Sequence, residues 1–193
     1  DDPQDKKYQG EKTFLEIGDH NTIREFVTIN RGTEQGGGKT RIGNQNWIMA
    51  YVHIAHDCMV GNDTVFANGA SLAGHVNVED HAILGGFALV HQFCNLGCYS
   101  FCAKASGITK DVPPYVMVAG YDAKPHGLNT EGLKRHHFSL ETIQVLKKAY
   151  RILYRSNLTL AHALEQLSTL ADSSKEVTQW VRFLERSERG IVR

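Results

Sequence analysis

The sequence predicts a mainly β chain with an α-helical end: a parallel β-helix of six-residue repeats followed by a small C-terminal helical domain. Three observations carry this. Apolar residues recur at every sixth position over residues 42–113, and a small or β-branched residue follows four positions after nearly all of them. After Pro113-Pro114 the period gives way to helical spacing behind Ser and Thr caps.

The apolar series is Ile42, Ile48, Ile54, Val60, Phe66, Leu72, Val78, Leu84, Val90, Leu96, Cys102 and Ile108. The small series runs from Asn46, the one exception, through Val52 and Cys58 to Ser106 and Val112. A helix cannot produce this, because 3.6 residues per turn gives no fixed face at a step of six. The pattern fits a triangular coil with three short strands per 18-residue turn. Its large apolar residues point inward, its small ones sit at the corners, and successive coils stack about 4.8 Å apart.

The same beat starts earlier, at Ile17, Ile23 and Ile29. Ile17 to Ile42 is a step of 25 residues against the 18 of one coil, so a loop insertion is expected near 32–41. Gly36-Gly37-Gly38 marks it as a flexible, exposed loop, either one that carries binding groups or a plain surface bulge. The β-helix is thus expected over 1–114, with a connector over 115–138 because paired prolines end a ladder. A helical domain then spans 139–193. Ser139 caps its first helix, Thr159 its second, and Ser173 with Glu176 forms a capping box before the third.

With 41% hydrophobic and 22% charged residues the composition is that of a globular chain, and no apolar run is long enough for a membrane span. The net charge is zero, so no nucleic-acid partner is expected. The charge is uneven, however. Residues 1–130 hold 10 Lys/Arg against 14 Asp/Glu, and residues 131–193 hold 11 against 7. The C-terminal unit is either a docking face for an acidic partner or a solvated helical surface. Cys58, Cys94, Cys98 and Cys102 form no metal-finger spacing and read as small buried side chains. The chain starts Asp-Asp-Pro without Met, as a C-terminal part of a longer protein would.

Ten histidines take on meaning once they are phased against the coil. Ile54, Leu72 and Val90 lie 18 apart, in one interior column. Relative to it, His53 is one before, His56 two after, His75 three after and His91 one after; His56, Gly74 and Gln92 share one coil position. Four histidines spread over 39 residues should therefore gather along one edge. Two chemistries use such a cluster: a zinc lyase with three His ligands across a subunit interface, or a transferase with one His as general base. Asp57 beside His56 can orient a base, and the Gly74 N–H can meet an oxyanion.

Several stretches together resemble the UDP-N-acetylglucosamine acyltransferase family of lipid A synthesis. They are His53-Ile54-Ala55-His56-Asp57-Cys58, Leu72-Ala73-Gly74-His75-Val76, Val90-His91-Gln92-Phe93-Cys94, Asp111-Val112-Pro113-Pro114-Tyr115-Val116, Asn129-Thr130-Glu131-Gly132-Leu133-Lys134-Arg135 and the ending Glu188-Arg189-Gly190-Ile191-Val192-Arg193. The resemblance implies a left-handed coil, a homotrimer with sites between subunits, and a cytoplasmic enzyme without cofactor or metal. It implies that the acyl carrier protein delivers an (R)-3-hydroxyacyl group to the glucosamine 3-hydroxyl of UDP-N-acetylglucosamine. His56 would then be the base, Asp57 its orienting partner and Gly74 the oxyanion donor. His53, His75, His91 and Gln92 would line the cleft, while Gln4, Asp5, Lys7, Asn129, Glu131 and Arg135 would hold the sugar nucleotide. His136 stands where a second basic residue is usual. Lys104 stands at the acyl-length ruler, where some members have Gly; either its side chain shortens the accepted acyl donor or its ammonium swings to solvent. Alternatives are N-acyltransfer to a 3-amino sugar nucleotide, a γ-type zinc carbonic anhydrase, or a noncatalytic solenoid.

Overall fold

A computed structural model describes all 193 residues, Asp1–Arg193. The six-residue period folds into a left-handed β-helix with three parallel sheets as its faces, against the usual right-hand preference of parallel crossovers. The first coil holds β1 (Phe14–Ile17), β2 (Thr22–Ile23) and β3 (Thr28–Ile29), and the second β4 (Lys39–Ile42), β5 (Trp47–Ile48) and β6 (His53–Ile54). The third holds β7 (Met59–Val60), β8 (Val65–Phe66) and β9 (Ser71–Leu72), and the fourth β10 (Asn77–Val78), β11 (Ile83–Leu84) and β12 (Leu89–Val90). Above them lie β13 (Asn95–Leu96), β14 (Phe101–Cys102) and β15 (Gly107–Ile108).

The faces run β1-β4-β7-β10-β13, β2-β5-β8-β11-β14 and β3-β6-β9-β12-β15. Their register stacks residues 18 apart. Ile42 faces Val60, Val78 and Leu96; Ile48 faces Phe66, Leu84 and Cys102; Ile54 faces Leu72, Val90 and Ile108. All twelve are buried and form the core, each removing apolar area worth about 1.5–3 kcal/mol as an upper bound. All four cysteines are free and buried, as expected. Burial pushes the thiols of Cys58, Cys98 and Cys102 up to about 12 and that of Cys94 to about 11, so none serves as a thiolate at neutral pH.

Every corner turns the same way. At each sixth residue from Gln45 to Ala105, φ lies between +54° and +70°, and only Gly69 among these eleven is a glycine. Left-handed backbone costs a non-glycine residue about 1 kcal/mol, so the stacked ladder holds these corners against local preference. Side chains at Gln45, Asp57, His75 and Phe93 are thereby aimed outward from a rigid frame.

Three expectations need correction. First, Lys39, Thr40 and Arg41 pair with Phe14, Leu15 and Glu16, so the insertion ends at Gly38 instead of 41. It is also not a free flexible loop: Thr33 is buried, and its carbonyl accepts from the Gly36 and Gly38 amides. Second, the prolines do not end the ladder. They occupy a corner, and β16 (Val116–Ala119) continues the second face parallel to β14, with β17 (Lys124–Leu128) antiparallel to β16. Third, a short helix α1 (Thr130–Arg135) was not foreseen, and Ser174, not Ser173, caps the last helix by accepting from the Val177 amide.

The remaining helices are α2 (Leu140–Arg155), α3 (Leu160–Ala171) and α4 (Lys175–Glu185), with Ser139 and Thr159 capping α2 and α3. They bury Leu146, Leu153, Leu167, Trp180 and Leu184 against one another. The chain end returns to the solenoid. Asp111 is fully buried, its amide donates to the Gly190 carbonyl, and its carboxylate accepts from Ser187 Oγ at 2.6 Å. Arg186 of the same segment pairs with Glu79.

Candidate active site

The corner between the third and first faces brings His56, Asp57, Gly74 and His75 together. His56 precedes the left-handed residue Asp57, so the two side chains leave the same turn. His56 Nδ1 lies 2.8 Å from Asp57 Oδ2, and the Asp57 side chain has no solvent exposure. A buried carboxylate accepts, so Nδ1 carries the proton and Nε2 is left with its lone pair.

Gly74 lies one coil above. A Cβ there would meet His56 Cε1 at 2.6 Å and Nε2 at 2.8 Å. Only glycine leaves room for the imidazole against the next coil. The Gly74 carbonyl accepts from Phe93, while its N–H donates to no protein group. An unpartnered amide on the residue that abuts His56 is available to a developing negative oxygen. These groups open on a cavity of about 460 Å³ lined by Gln4, His53, His56, Gly74, Leu89 and Gln92, among others. His53 Nδ1 lies 2.8 Å from Thr28 Oγ1. Burial first, and the neighbouring His56 second, lower the His53 pKa from its ordinary value.

His75 takes the other side of the same corner. Its ring stacks on Phe93 at 4.5 Å and meets His56 edge-on at 5.2 Å, with Nε2 at 3.6 Å from Asp57 Oδ2. It lines a second cavity, of about 370 Å³, with Phe93, Asn95, Arg186, Glu188 and Arg189. His91 Nδ1 lies 2.9 Å from Arg189 Nη2. Because a guanidinium only donates, His91 Nδ1 is an acceptor and the proton sits on Nε2. The four histidines therefore share an edge without sharing one cavity.

His56, Asp57 and His75 offer ligand atoms within 4.8 Å of one another. The set does not suit zinc well: Asp57 Oδ1 already accepts from the Thr33 amide, and Oδ2 from both His56 and the Thr33 hydroxyl.

Comparison with known proteins places the chain. Residues 39–74 match the bacterial transferase hexapeptide model, and residues 111–192 match domain 2 of UDP-N-acetylglucosamine O-acyltransferase. The acyl-[acyl-carrier-protein]–UDP-N-acetylglucosamine O-acyltransferase of Alkalilimnicola ehrlichii is 58% identical over all of this chain and 75% of its own length. That of Thiobacillus denitrificans is 60% identical over 99% of this chain and 74% of its own. The chain belongs to the UDP-N-acetylglucosamine O-acyltransferase family. The crystal structure of the Francisella novicida UDP-N-acetylglucosamine acyltransferase superposes with a TM-score of 0.98 at 44% identity, covering all of this chain and 71% of that one.

Of the other residues that the family resemblance singles out, only Gln4 lies at the His56 corner. Gln4 joins the His56 cavity, whereas the Asp5 carboxylate accepts from the Lys7 amide and leaves the Lys7 side chain exposed. Asn129 holds the fold together locally. Its Oδ1 caps α1 by accepting from the Gly132 amide, and its Nδ2 donates to the Tyr99 carbonyl. Glu131 pairs with Lys134 at 2.8 Å, and Arg135 is exposed. Lys104 is exposed two residues beyond the interior Cys102, on a different corner from His56. Sequence reasoning missed Thr33, the nearest neighbour of the Asp57 carboxylate; nothing in the period marks a contact made from within an insertion.

Proposed function

We propose that this chain transfers an (R)-3-hydroxyacyl group from acyl carrier protein to the glucosamine 3-hydroxyl of UDP-N-acetylglucosamine, the first step of lipid A synthesis. The observation that carries the chemistry is the His56–Asp57 pair, whose imidazole lies against Gly74, a residue whose N–H has no protein partner. His56 Nε2 takes the proton of the sugar hydroxyl as its oxygen attacks the thioester carbonyl. The Gly74 N–H receives the oxyanion, and Asp57 stabilises the imidazolium that forms. Collapse expels the carrier's thiolate, and the His56 proton passes to that sulfur, which restores the neutral base. His53, Gln92 and Gln4 shape the acceptor cavity; His75 lines the adjoining side, and His91 holds Arg189 of that same side. Asn129, Glu131, Arg135, Asp5 and Lys7 serve the nucleotide end, with Arg135 suited to a phosphate.

The working unit is a homotrimer. Phe26, Tyr51 and Phe87, which are 71%, 64% and 68% exposed, stand along another corner, and a neighbouring subunit gives such a ladder an apolar cover. A cytoplasmic location suits four free cysteines. No helix is long and apolar enough to cross a membrane. The exposed Lys147, Lys148 and Arg151 on α2 suit an acidic carrier protein.

The test is acyl transfer to UDP-N-acetylglucosamine from a series of 3-hydroxyacyl carrier proteins, with the 3-amino sugar nucleotide as a parallel acceptor. His56→Ala is expected to lower kcat by about 10² to 10⁴; an active variant removes the base assignment. With Lys104 at the ruler, the shorter donors of the series are expected to react fastest; equal rates across the series exclude a ruler role.

A further inference from the structure

We propose that Thr33 is a positioning residue for the base, and that the insertion ending at Gly38 is a clamp on the Asp57 carboxylate. This rests on the reading of His56 as the general base. A carboxylate with no solvent exposure needs donors on both oxygens. The coil itself supplies one, His56 Nδ1–H to Oδ2. The insertion supplies two, both from one residue: the Thr33 amide donates to Oδ1 at 2.7 Å, and the Thr33 hydroxyl donates to Oδ2 at 2.7 Å.

The direction of the hydroxyl bond is settled by its other neighbour. The Gly36 amide donates to Thr33 Oγ1 at 3.1 Å, so the hydroxyl accepts there and its own proton goes to Asp57. The Gly36 backbone lies against the carboxyl group, and a Cβ on it would overlap Asp57 Cγ. Held at both oxygens by Thr33, the carboxylate cannot rotate about its Cβ–Cγ bond, and Oδ2 stays 2.8 Å from His56 Nδ1. That keeps the proton on Nδ1 and the lone pair on Nε2. A regular 18-residue coil offers no seat for such a grip; the extra residues before Lys39 provide it.

The titratable groups facing this pair are His75 at 3.6 Å from Oδ2, His53 along the cavity, and the neighbouring Cys58 thiol, which burial keeps protonated. Removing the Thr33 hydroxyl leaves Oδ2 to the imidazoles alone. An Oδ2 with one donor fewer binds an imidazolium more strongly, so the base gives up its proton less readily.

The experiment compares Thr33→Val, Thr33→Ser and Gly36→Ala with wild type in the full chain, using UDP-N-acetylglucosamine and a 3-hydroxyacyl carrier protein. Thr33→Val is expected to lower kcat by about tenfold or more, to leave KM for the sugar nucleotide within about twofold, and to move the acid limb of kcat/KM to higher pH. Thr33→Ser restores both kcat and the limb. Gly36→Ala, which pushes the carboxylate from the other side, lowers kcat with the same KM. Wild-type kcat and pH limb in Thr33→Val overturn the clamp. So does a loss of activity with no shift of the limb and no rescue by Ser, because a purely structural threonine would give that result. If circular dichroism shows Thr33→Val unfolded, Thr33→Ser and Gly36→Ala decide: wild-type kcat in Gly36→Ala, or an inactive folded Thr33→Ser, overturns the proposal. An active His56→Ala defeats the base itself, whereas inactive His56→Ala with normal Thr33→Val defeats only the clamp.

Discussion

Asp57, His75 and Phe93 climb one corner of the coil; Asp63, His81 and Tyr99, each six residues further on, climb the next. The backbone is the same in both, with φ between +54° and +64° at all six residues. The stacking is the same too, His75 on Phe93 at 4.5 Å and His81 on Tyr99 at 4.4 Å. The surroundings differ. Asp57 follows His56 and is buried under the insertion, whereas Asp63 follows Asn62 and is exposed. At the second corner the Asn44 N–H is capped by Asn62 Oδ1 at 2.8 Å and the Asn62 N–H by Asp80 Oδ1 at 2.7 Å. The Gly74 amide and its counterpart, the Asp80 amide, both lack a partner, so the corners differ there in the side chain, a carboxylate at Asp80 and none at Gly74. His136, Tyr115 and Phe138 then cover the second corner by packing around Tyr99. The comparison teaches that an acid–histidine–aromatic column is only a position. What lies over it decides which groups it can meet.

The largest expected contrast is between the two aspartates. Asp57→Asn should lower kcat by about 10² or more, since an amide nitrogen toward Nδ1 favours the wrong imidazole tautomer. Asp63→Asn should stay within about twofold, and steady-state acyl transfer reads both; equal losses would erase the distinction. Next is Tyr99→Ala, expected to cost about 2 kcal/mol by emptying the stack between His81, Tyr115 and Phe138. Urea denaturation measures it, and an unchanged midpoint would mean that the second corner does not hold the helical unit. The smallest is a pH effect. Burial first, and the His81 charge second, hold His136 below its ordinary 6.5, with His137 adding in the same sense and Asp63 opposing. The folded state then binds that proton less tightly than the unfolded one, so stability should fall as pH drops below about 6.5. His136→Asn should flatten this decline in thermal midpoints between pH 7.5 and 5; an identical slope would assign it to other groups.

The interior columns were legible because a step of six repeats over twelve residues, and phasing then put His56 beneath Gly74. Three features left no such trace. The left-handed corners are filled mostly by Asp, His, Phe and Tyr, with Gly69 the one glycine among eleven, so glycine does not signal them; the ladder imposes the conformation. The continuation into β16 was hidden by Pro113-Pro114, which sit at a corner where no ladder amide is needed. Helix α1 is too short to show a period, although Asn129 three residues before Gly132 is an N-cap signal. The grip of Thr33 on Asp57 spans 24 residues, and only the three-dimensional path of an irregular loop creates it.

The eighteen-residue coil also sets which edits to this gene product are safe. Duplicating one full coil would lengthen the prism by about 4.8 Å and return every later side chain to its own face. Adding six residues would rotate everything downstream by a third of a revolution and separate Gly74 from His56. The insertion before Lys39 escapes both outcomes because it leaves and rejoins at one point, with Ile17 still stacked on Ile42. Such an excursion is how a periodic frame gains a new side chain over its chemistry without shifting any residue that follows.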